Sequence, residues 1–436
     1  MIETGARGKP ERAYLVAVEH EDEENMWSVE DSLDELASLA RTAGAEVAGK
    51  MIQRLRHPDV ATYLGKGKVQ ELSDLEKYLG FNLVIFDDEL SPSQQRNLEK
   101  VLNARVIDRT ALILDIFAQH ARTREGRLQV ELAQLEYRLP RLTGSGTELS
   151  RLGGGSRGAA SGVGGAIGVR GPGETKLEID RRRIRGRIAE LREEIEAVRE
   201  ARQIHRRQRA EQAIPVVAVV GYTNAGKSTL FNALTEASVV AENKLFATLD
   251  PTTRHILLPG NQEALLTDTV GFIQKLPTHL VAAFRATLEE VTDADILLEV
   301  VDVSHENAIE QSETVREILD ELHASEKPRL TALNKIDLLD DVRELDTTLY
   351  PNAVPVSALK GIGLENLREK IARVLAESMQ TVQVLIPYSK TELVELFHRR
   401  GRVAREEHTP EGTLLTGRLP RVLSGYYSPY YIKAMG

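Results

Sequence analysis

Residues 221–228 read Gly221-Tyr222-Thr223-Asn224-Ala225-Gly226-Lys227-Ser228, and this motif sets the interpretation of the whole chain. Its pattern, G-x-x-x-x-G-K-S, is that of a phosphate-binding loop. The apolar, β-branched run Pro215–Val220 before it predicts a buried parallel strand, and Thr229–Leu234 after it predicts a helix. Because strand, glycine loop and helix follow in the order that the motif requires, we predict a P-loop nucleotide-binding domain rather than an unliganded glycine turn.

The chemistry of this loop follows from its residue types. Backbone N–H groups of the loop and of the helix N-terminus would surround the β-phosphate. Lys227 would reach the β- and γ-phosphates, and the Ser228 hydroxyl would take one position on Mg²⁺. Asn224 has two open interpretations: an asparagine here helps some GTPases hold a monovalent cation such as K⁺, or the local backbone simply satisfies its side chain.

Composition bounds the class of protein. The 436 residues are 42% hydrophobic and 28% charged, which predicts several domains with real cores. A net charge of −10 and the lack of cysteine argue against a generally basic RNA-binding surface and exclude disulfides and thiolate metal sites. No apolar run resembles a signal core or a bilayer span. We therefore expect a monomeric cytoplasmic protein without stable membrane insertion, and leave a peripheral position at the membrane open.

The first part of the chain alternates strand and helix. Strands are predicted at Tyr14–Val18, Glu46–Leu55, Leu83–Asp87 and Val106–Asp108, with helices between them. This pattern predicts a parallel α/β domain over residues 1–110. Gly65–Lys68 either binds phosphate at a helix start or forms a plain turn with solvated lysines, and the turn is favoured.

Residues 111–210 predict an antiparallel helical hairpin. A long helical region begins near Thr110 and is ended or kinked by Pro140. Two apolar stripes with heptad-like spacing are too short for a free coiled coil, so they should pack on each other. Their members are Leu128, Leu132, Leu135 and Leu139 in the first, and Ile184, Ile188, Leu191, Ile195 and Val198 in the second.

The segment between the stripes, Thr143–Gly173, is rich in glycine and carries Arg151, Arg157 and Arg170. Such a composition cannot bury a core. A flexible linker is one interpretation, but this segment joins two halves of one hairpin. We favour a probe that orders on packed RNA, with the run Arg181–Arg187 extending the same basic surface.

Further motifs follow the phosphate loop in the order of a GTPase. Phe246–Thr253 takes the place of the first switch, where Thr248, Thr252 and Thr253 are equal candidates for the Mg²⁺-sensing threonine. In Asp268-Thr269-Val270-Gly271, Asp268 would hold Mg²⁺ through water and the Gly271 N–H would contact the γ-phosphate. Phe272 then occupies the position of a water-orienting glutamine, so unaided hydrolysis should be slow.

The guanine-binding motifs come last. In Asn334-Lys335-Ile336-Asp337, the Asp337 carboxylate accepts both the N1 and N2 protons of guanine, which selects GTP over ATP. Asn334 would tie this loop to the phosphate loop and Lys335 would lie along the base. In Ser357-Ala358-Leu359, the Ala358 N–H could meet guanine O6. The GTPase domain should span residues 211–378, followed by a small α+β domain over 379–436 whose tyrosine-rich tail either stacks on bases or packs on its own domain.

Taken together, these motifs resemble the HflX family of ribosome-associated P-loop GTPases, over the N-terminal α/β domain, the hairpin and the GTPase domain. The resemblance implies Thr248 as the switch threonine and, with Ser228, a ligand of Mg²⁺. It implies a GTP hydrolase, with Lys227 and Thr248 catalytic, that binds the large ribosomal subunit and its rRNA and splits or rescues stalled ribosomes. The alternative is a GTP-switched regulatory scaffold for RNA or protein without splitting activity.

The residues expected to contact GTP or GDP are Gly221, Tyr222, Thr223, Asn224, Ala225, Gly226, Lys227, Ser228, Phe246, Ala247, Thr248, Leu249, Asp250, Asp268, Thr269, Val270, Gly271, Asn334, Lys335, Ile336, Asp337, Ser357, Ala358 and Leu359.

Overall fold

The chain forms two compact units in the computed structural model of the protein. Unit 1 comprises Met1–Val198, Lys244–Phe246 and Lys275–Arg285, and unit 2 comprises Arg199–Asn243, Ala247–Gln274 and Ala286–Gly436. The structure describes residues 11–21, 27–142, 172–212, 214–235, 245–246, 248–275, 285–341, 345–377, 379–420 and 423–432.

Unit 1 contains a four-stranded parallel sheet in the order β2-β1-β3-β4. The four predicted strands are therefore confirmed. Its elements are β1 (Arg12–His20), α1 (Val29–Thr42), β2 (Glu46–Leu55), α2 (Lys66–Leu79), β3 (Leu83–Phe86), α3 (Pro92–Leu102), β4 (Arg105–Asp108), α4 (Arg109–His120), α5 (Arg124–Arg141) and α6 (Pro172–Gln212, whose residues from Arg199 onward are counted in unit 2).

The long helical region predicted from near Thr110 is present, and it consists of two separate helices, α4 and α5. The break occurs where the Thr123 hydroxyl accepts a hydrogen bond from Gly126 N and caps the start of α5. Pro140 lies within the last turn of α5, which ends one residue later at Arg141. Because proline has no N–H to donate to the carbonyl four residues before it and its ring clashes with that carbonyl, its place here fits the predicted end of the helical region.

The two apolar stripes pack against each other, which confirms the helical hairpin. Leu128 and Leu132 of α5 form one buried cluster with Ile188 and Leu191 of α6, and the remaining stripe residues pack around it. An ion pair joins Arg187 to Glu131 at 2.9 Å. The segment that the sequence assigns to an RNA probe, Thr143–Gly173, lies outside the described residues apart from its last two.

Two short segments from later in the sequence belong to unit 1. The Phe246 ring meets the Phe117 ring edge-on, with centroids 4.7 Å apart. The Lys275 ammonium pairs with Asp87 at 2.5 Å and with Asp88 at 2.7 Å. Burial raises the pKa of Asp87, but the charges of Arg109 and Lys275 outweigh it and bring that pKa to about 2.

Unit 2 contains a six-stranded sheet in the order β10-β9-β8-β5-β7-β6. All neighbours are parallel except β6, which pairs antiparallel with β7 at one edge. A three-stranded antiparallel sheet of order β11-β13-β12 follows. The elements are β5 (Val216–Gly221), α7 (Lys227–Thr235), β6 (Thr252–Leu258), β7 (Gln262–Asp268), α8 (Arg285–Asp293, whose first residue is counted in unit 1), β8 (Ile296–Asp302), α9 (Ala308–Glu321), β9 (Arg329–Asn334), β10 (Val354–Pro355), α10 (Leu364–Glu377), β11 (Met379–Ile386), α11 (Thr391–Arg400), β12 (Arg402–Thr409), β13 (Gly412–Pro420) and α12 (Ser424–Tyr427).

The α/β class is confirmed, with a P-loop domain, the hairpin and a small C-terminal α+β part. The tyrosine-rich tail packs on its own sheet: Tyr427 is fully buried, and its hydroxyl donates to Leu393 O at 2.7 Å. The domain boundaries at residues 110, 210 and 378 stay predictions. Among the described helices, none has both the length and the apolar character that crossing a membrane requires.

Candidate nucleotide site

The phosphate loop joins the end of β5 to the start of α7, and two of its glycines are sterically required. Gly221 has φ +143°, and a Cβ there would lie 2.4 Å from the carbonyl oxygen of Val300. Gly226 has φ +92°, and a Cβ there would lie 2.3 Å from Asn334 Nδ2. A side chain at position 221 would push on the Val300 backbone, and one at position 226 would push on the Asn334 side chain. Both φ values also favour glycine, so the loop conformation depends on glycine at both positions.

Lys227 is buried at the first position of α7. Its ammonium donates to the carbonyl oxygen of Tyr222 at 2.6 Å. Burial lowers its pKa to about 8, although the nearby Asp268 carboxylate acts in the opposite direction. A desolvated lysine with one neutral acceptor gains strongly from an arriving anion, which is the property that a phosphate-binding lysine needs.

Three side-chain oxygens converge beside Lys227. Ser228 Oγ lies 2.8 Å from Thr248 Oγ1 and 2.8 Å from Asp268 Oδ2, and Thr248 Oγ1 lies 3.0 Å from the same carboxylate oxygen. The other carboxylate oxygen, Asp268 Oδ1, is buried without a hydrogen-bond partner in the described part of the chain. Hydroxyl and carboxylate oxygens are the donors that Mg²⁺ prefers, so this set fits a magnesium ion.

The structure separates the three threonine candidates of the first switch. Thr248 lies in the oxygen cluster, whereas Thr252 and Thr253 are the first residues of β6. Thr253 Oγ1 is hydrogen-bonded to Thr267 Oγ1 of the neighbouring strand at 3.0 Å. Only Thr248 of the three is therefore placed with Ser228 and Asp268.

Asn334, at the end of β9, links the phosphate loop to the loop that follows β10. Its Nδ2 donates to Ala225 O at 2.9 Å, and its Oδ1 accepts from Ala358 N at 3.0 Å. The predicted tie to the phosphate loop is thus present. The Ala358 N–H, expected at guanine O6, is engaged by Asn334 here, and its contact with the base stays a prediction.

The other residues expected to bind guanine follow β9 and β10. Asp337 is half-buried and lies in a short 3₁₀ turn, Ile336–Leu338. The Lys335 ammonium pairs with Asp302 at 2.6 Å, a partner that sequence analysis did not identify. Ser357 is buried and accepts at its Oγ from Lys360 N, while Leu359 is 76% exposed.

The segment Asp268–Gly271 continues from β7 past the phosphate loop. Thr269 Oγ1 donates to Val219 O at 2.6 Å, and Val270 is buried. A Cβ on Gly271 would lie 2.9 Å from Lys227 Nζ. The Phe272 side chain is 1% exposed, so it is part of the core and offers nothing to a water molecule.

The other residues expected to contact the nucleotide differ in their exposure. Asn224 is exposed with φ +60°, a conformation that asparagine tolerates. Leu249 is buried and Asp250 is half-buried. Phe246 belongs to unit 1, and Ala247 lies outside the described residues.

Sequence reasoning missed the hydrogen bond from Gln274 N to the Tyr222 hydroxyl at 2.9 Å. A tyrosine in the second position of the loop was the available signal, because a buried tyrosine hydroxyl requires a partner.

Comparison with known proteins identifies relatives of this chain. Residues 30–118 match the model "GTP-binding GTPase N-terminal", and residues 120–209 match "GTP-binding GTPase Middle Region". A protein of Caldanaerobacter subterraneus named GTPase HflX is 49% identical over 94% of this chain and 91% of its own length. The GTPase HflX of Lacrimispora saccharolytica is 47% identical over 95% of this chain and 94% of its own length.

The chain belongs to the HflX GTPase family. Residues 216–335 of this HflX-family chain also match the model "50S ribosome-binding GTPase". A solved structure of a GTP-binding protein from Sulfolobus solfataricus in complex with GDP is 28% identical, with a TM-score of 0.43, and covers 84% of this chain and 98% of its own. Membership makes the chain a GTP-binding GTPase, and the residue roles at its site are proposals taken up next.

Proposed function

We propose that this site hydrolyses GTP with Mg²⁺ and that the reaction serves binding and splitting of ribosomes through the large subunit. The observation that carries the catalytic part is the convergence of Ser228, Thr248 and Asp268 oxygens at 2.8–3.0 Å beside a buried lysine. GTPases hold Mg²⁺ with a hydroxyl of the phosphate loop, and the first switch closes on the ion and the γ-phosphate, so Ser228 and Thr248 are the residue types expected for these two roles.

In the proposed reaction, each residue acts on the phosphates or on the ion. Lys227 exchanges the Tyr222 carbonyl for the β- and γ-phosphate oxygens, where its charge offsets the charge that builds up during transfer. Ser228 and Thr248 would hold the metal through their hydroxyls, and the Asp268 carboxylate would act on it through water. When bound, Mg²⁺ neutralises phosphate charge. The Gly271 N–H contacts the γ-phosphate.

The apolar residue after this glycine leaves the chemistry incomplete. Because the Phe272 side chain is in the core, it cannot orient the attacking water. Turnover of the isolated protein is therefore slow in this proposal, and contact with its partner increases it. Guanine is selected by Asp337, beside the loop that Asn334 holds in place.

The proposed partner is the large ribosomal subunit and its RNA. The match to a model described as a 50S ribosome-binding GTPase supports it. The sequence supports it too, because Thr143–Gly173 combines a glycine-rich backbone with arginines and joins two helices that pack as a hairpin. A cytoplasmic location follows from this partner.

The test compares the parent protein with a variant in which residues 143–171 are replaced by a short glycine–serine link. GTP turnover is measured alone and with purified large subunits, and splitting of 70S ribosomes is followed by light scattering. We expect slow turnover alone, stimulation by subunits, and splitting by the parent. The deletion variant should keep GTP affinity and intrinsic turnover but lose splitting and bind subunits with a shallower salt dependence, since phosphate contacts are lost.

Three outcomes would contradict parts of the proposal. Fast unaided turnover that ribosomes do not change would remove the partner-dependent step. Stimulation by subunits without any splitting would favour the regulatory scaffold, in which hydrolysis only resets binding. A deletion variant that splits ribosomes as the parent does would show that the segment is a linker.

A further inference from the structure

Three contacts of Tyr222, the second residue of the phosphate loop, bear on the nucleotide site. Its carbonyl oxygen accepts from Lys227 Nζ at 2.6 Å. Its backbone forms a parallel β-bridge with Phe272. Its side chain is 4% exposed, and the hydroxyl accepts a hydrogen bond from Gln274 N at 2.9 Å. The first two contacts use the main chain and are open to other residue types, but the third requires a hydroxyl at the end of a ring.

The bridge places the segment after Asp268 directly against the phosphate loop. Thr223 N donates to Phe272 O at 2.8 Å, and Phe272 N donates to Gly221 O at 3.1 Å. Gly271 lies so close that a Cβ would be 2.9 Å from Lys227 Nζ and 3.0 Å from Thr223 Cα. This backbone is therefore held next to the lysine that would carry the terminal phosphate.

The first switch also lies against the phosphate loop, because Thr248 Oγ1 is 2.8 Å from Ser228 Oγ. Both segments that sense a γ-phosphate thus lie close to the loop. A residue that stabilises this arrangement favours the nucleotide that has a γ-phosphate over the one that lacks it, since a ligand gains only from contacts that differ between two states.

We propose that Tyr222 is a positioning residue for GTP: its hydroxyl holds the Gln274 backbone so that Gly271 stays against Lys227 and meets the γ-phosphate. The inference rests on the proposed binding of GTP at this site and adds the residue that sets the preference for GTP over GDP. Phenylalanine would keep the ring and remove the hydroxyl that accepts from Gln274 N.

The test is Tyr222→Phe in the full chain, with affinities for a non-hydrolysable GTP analogue and for GDP measured by fluorescence titration in Mg²⁺. Leaving the half-buried Gln274 N–H without this partner should weaken binding of the GTP analogue about fivefold. GDP affinity should stay within about twofold, because GDP has no phosphate at Gly271. Turnover of GTP should fall together with the affinity for the analogue.

Tyr427→Phe is the matched control. It also removes a buried tyrosine hydroxyl, one that donates to Leu393 O at 2.7 Å in the C-terminal sheet, and it should leave both affinities unchanged. Equal losses for both nucleotides in Tyr222→Phe would mean that the hydroxyl only supports the fold, and an unchanged ratio with no loss would likewise overturn the inference. If the parent binds neither nucleotide, the proposed function itself fails.

Discussion

Replacing Asn334 by alanine tests the connection between the two loops of the nucleotide site. The side chain is 2% exposed and joins Ala225 O at 2.9 Å to Ala358 N at 3.0 Å. Alanine leaves one buried acceptor and one buried donor without a partner. At about 1–3 kcal/mol for each such group, the free energy of unfolding of this part of the chain should fall by about 2–6 kcal/mol.

The same change should weaken GTP and GDP alike. Asn334 contacts the loop that holds the phosphates and the loop after β10, so its loss disturbs features that both nucleotides share. This result differs from that of Tyr222→Phe, which should change the ratio of the two affinities. The two variants therefore separate support of the whole site from sensing of the γ-phosphate.

Urea unfolding followed by circular dichroism measures the stability, and fluorescence titration measures the affinities. Asn97→Ala is the control, because Asn97 Nδ2 donates to Ala61 O at 2.9 Å in an exposed position and should cost under about 1 kcal/mol. The role assigned to Asn334 is wrong if the free energy of unfolding of Asn334→Ala lies within about 0.5 kcal/mol of the parent value and the variant binds both nucleotides normally.

Three further predictions concern the base, the lysine and the cation. Asp337→Asn should weaken GTP and favour xanthosine triphosphate, whose C2 carbonyl would face the amide NH₂; unchanged GTP affinity would contradict the role of Asp337. Because the pKa of Lys227 is about 8, raising the pH through 8 removes its proton and should lower nucleotide affinity between pH 7 and 9. Lys227→Arg, which stays charged, should flatten that profile, and a flat profile in the parent would refute the argument. If Asn224 holds K⁺, turnover should fall when Na⁺ replaces K⁺ at constant ionic strength, and Asn224→Ala should remove the difference; equal parent rates in both salts would exclude it.

The sequence predicted those parts of the fold that local patterns specify. The run before Gly221 is β-branched and apolar, and it forms the central strand β5 that leads into the loop. The heptad-like spacing in α5 and α6 predicted the hairpin because an apolar stripe has to be buried against another one.

The parts that it did not predict depend on contacts between distant residues. Residue types alone left three threonines open, and only the resemblance to the family implied Thr248. The physical reason is strand β6, whose pairing with β7 places Thr253 opposite Thr267. The bond between Tyr222 and Gln274 joins two positions that no local period relates. The break between α4 and α5 is different, because it depends on a local signal: Thr123 is a recognisable capping residue that marks the start of α5.

The packing of α5 on α6 also bears on how this family can change. The cluster around Leu132 and Leu191 holds α5 against α6, and all of its described members lie outside the segment of residues 143–171. Closing a loop twice as long costs only about 0.6 kcal/mol more. Insertions, deletions and exchanges between relatives are thus thermodynamically cheap here, so this segment can diversify while the packed helices stay the same.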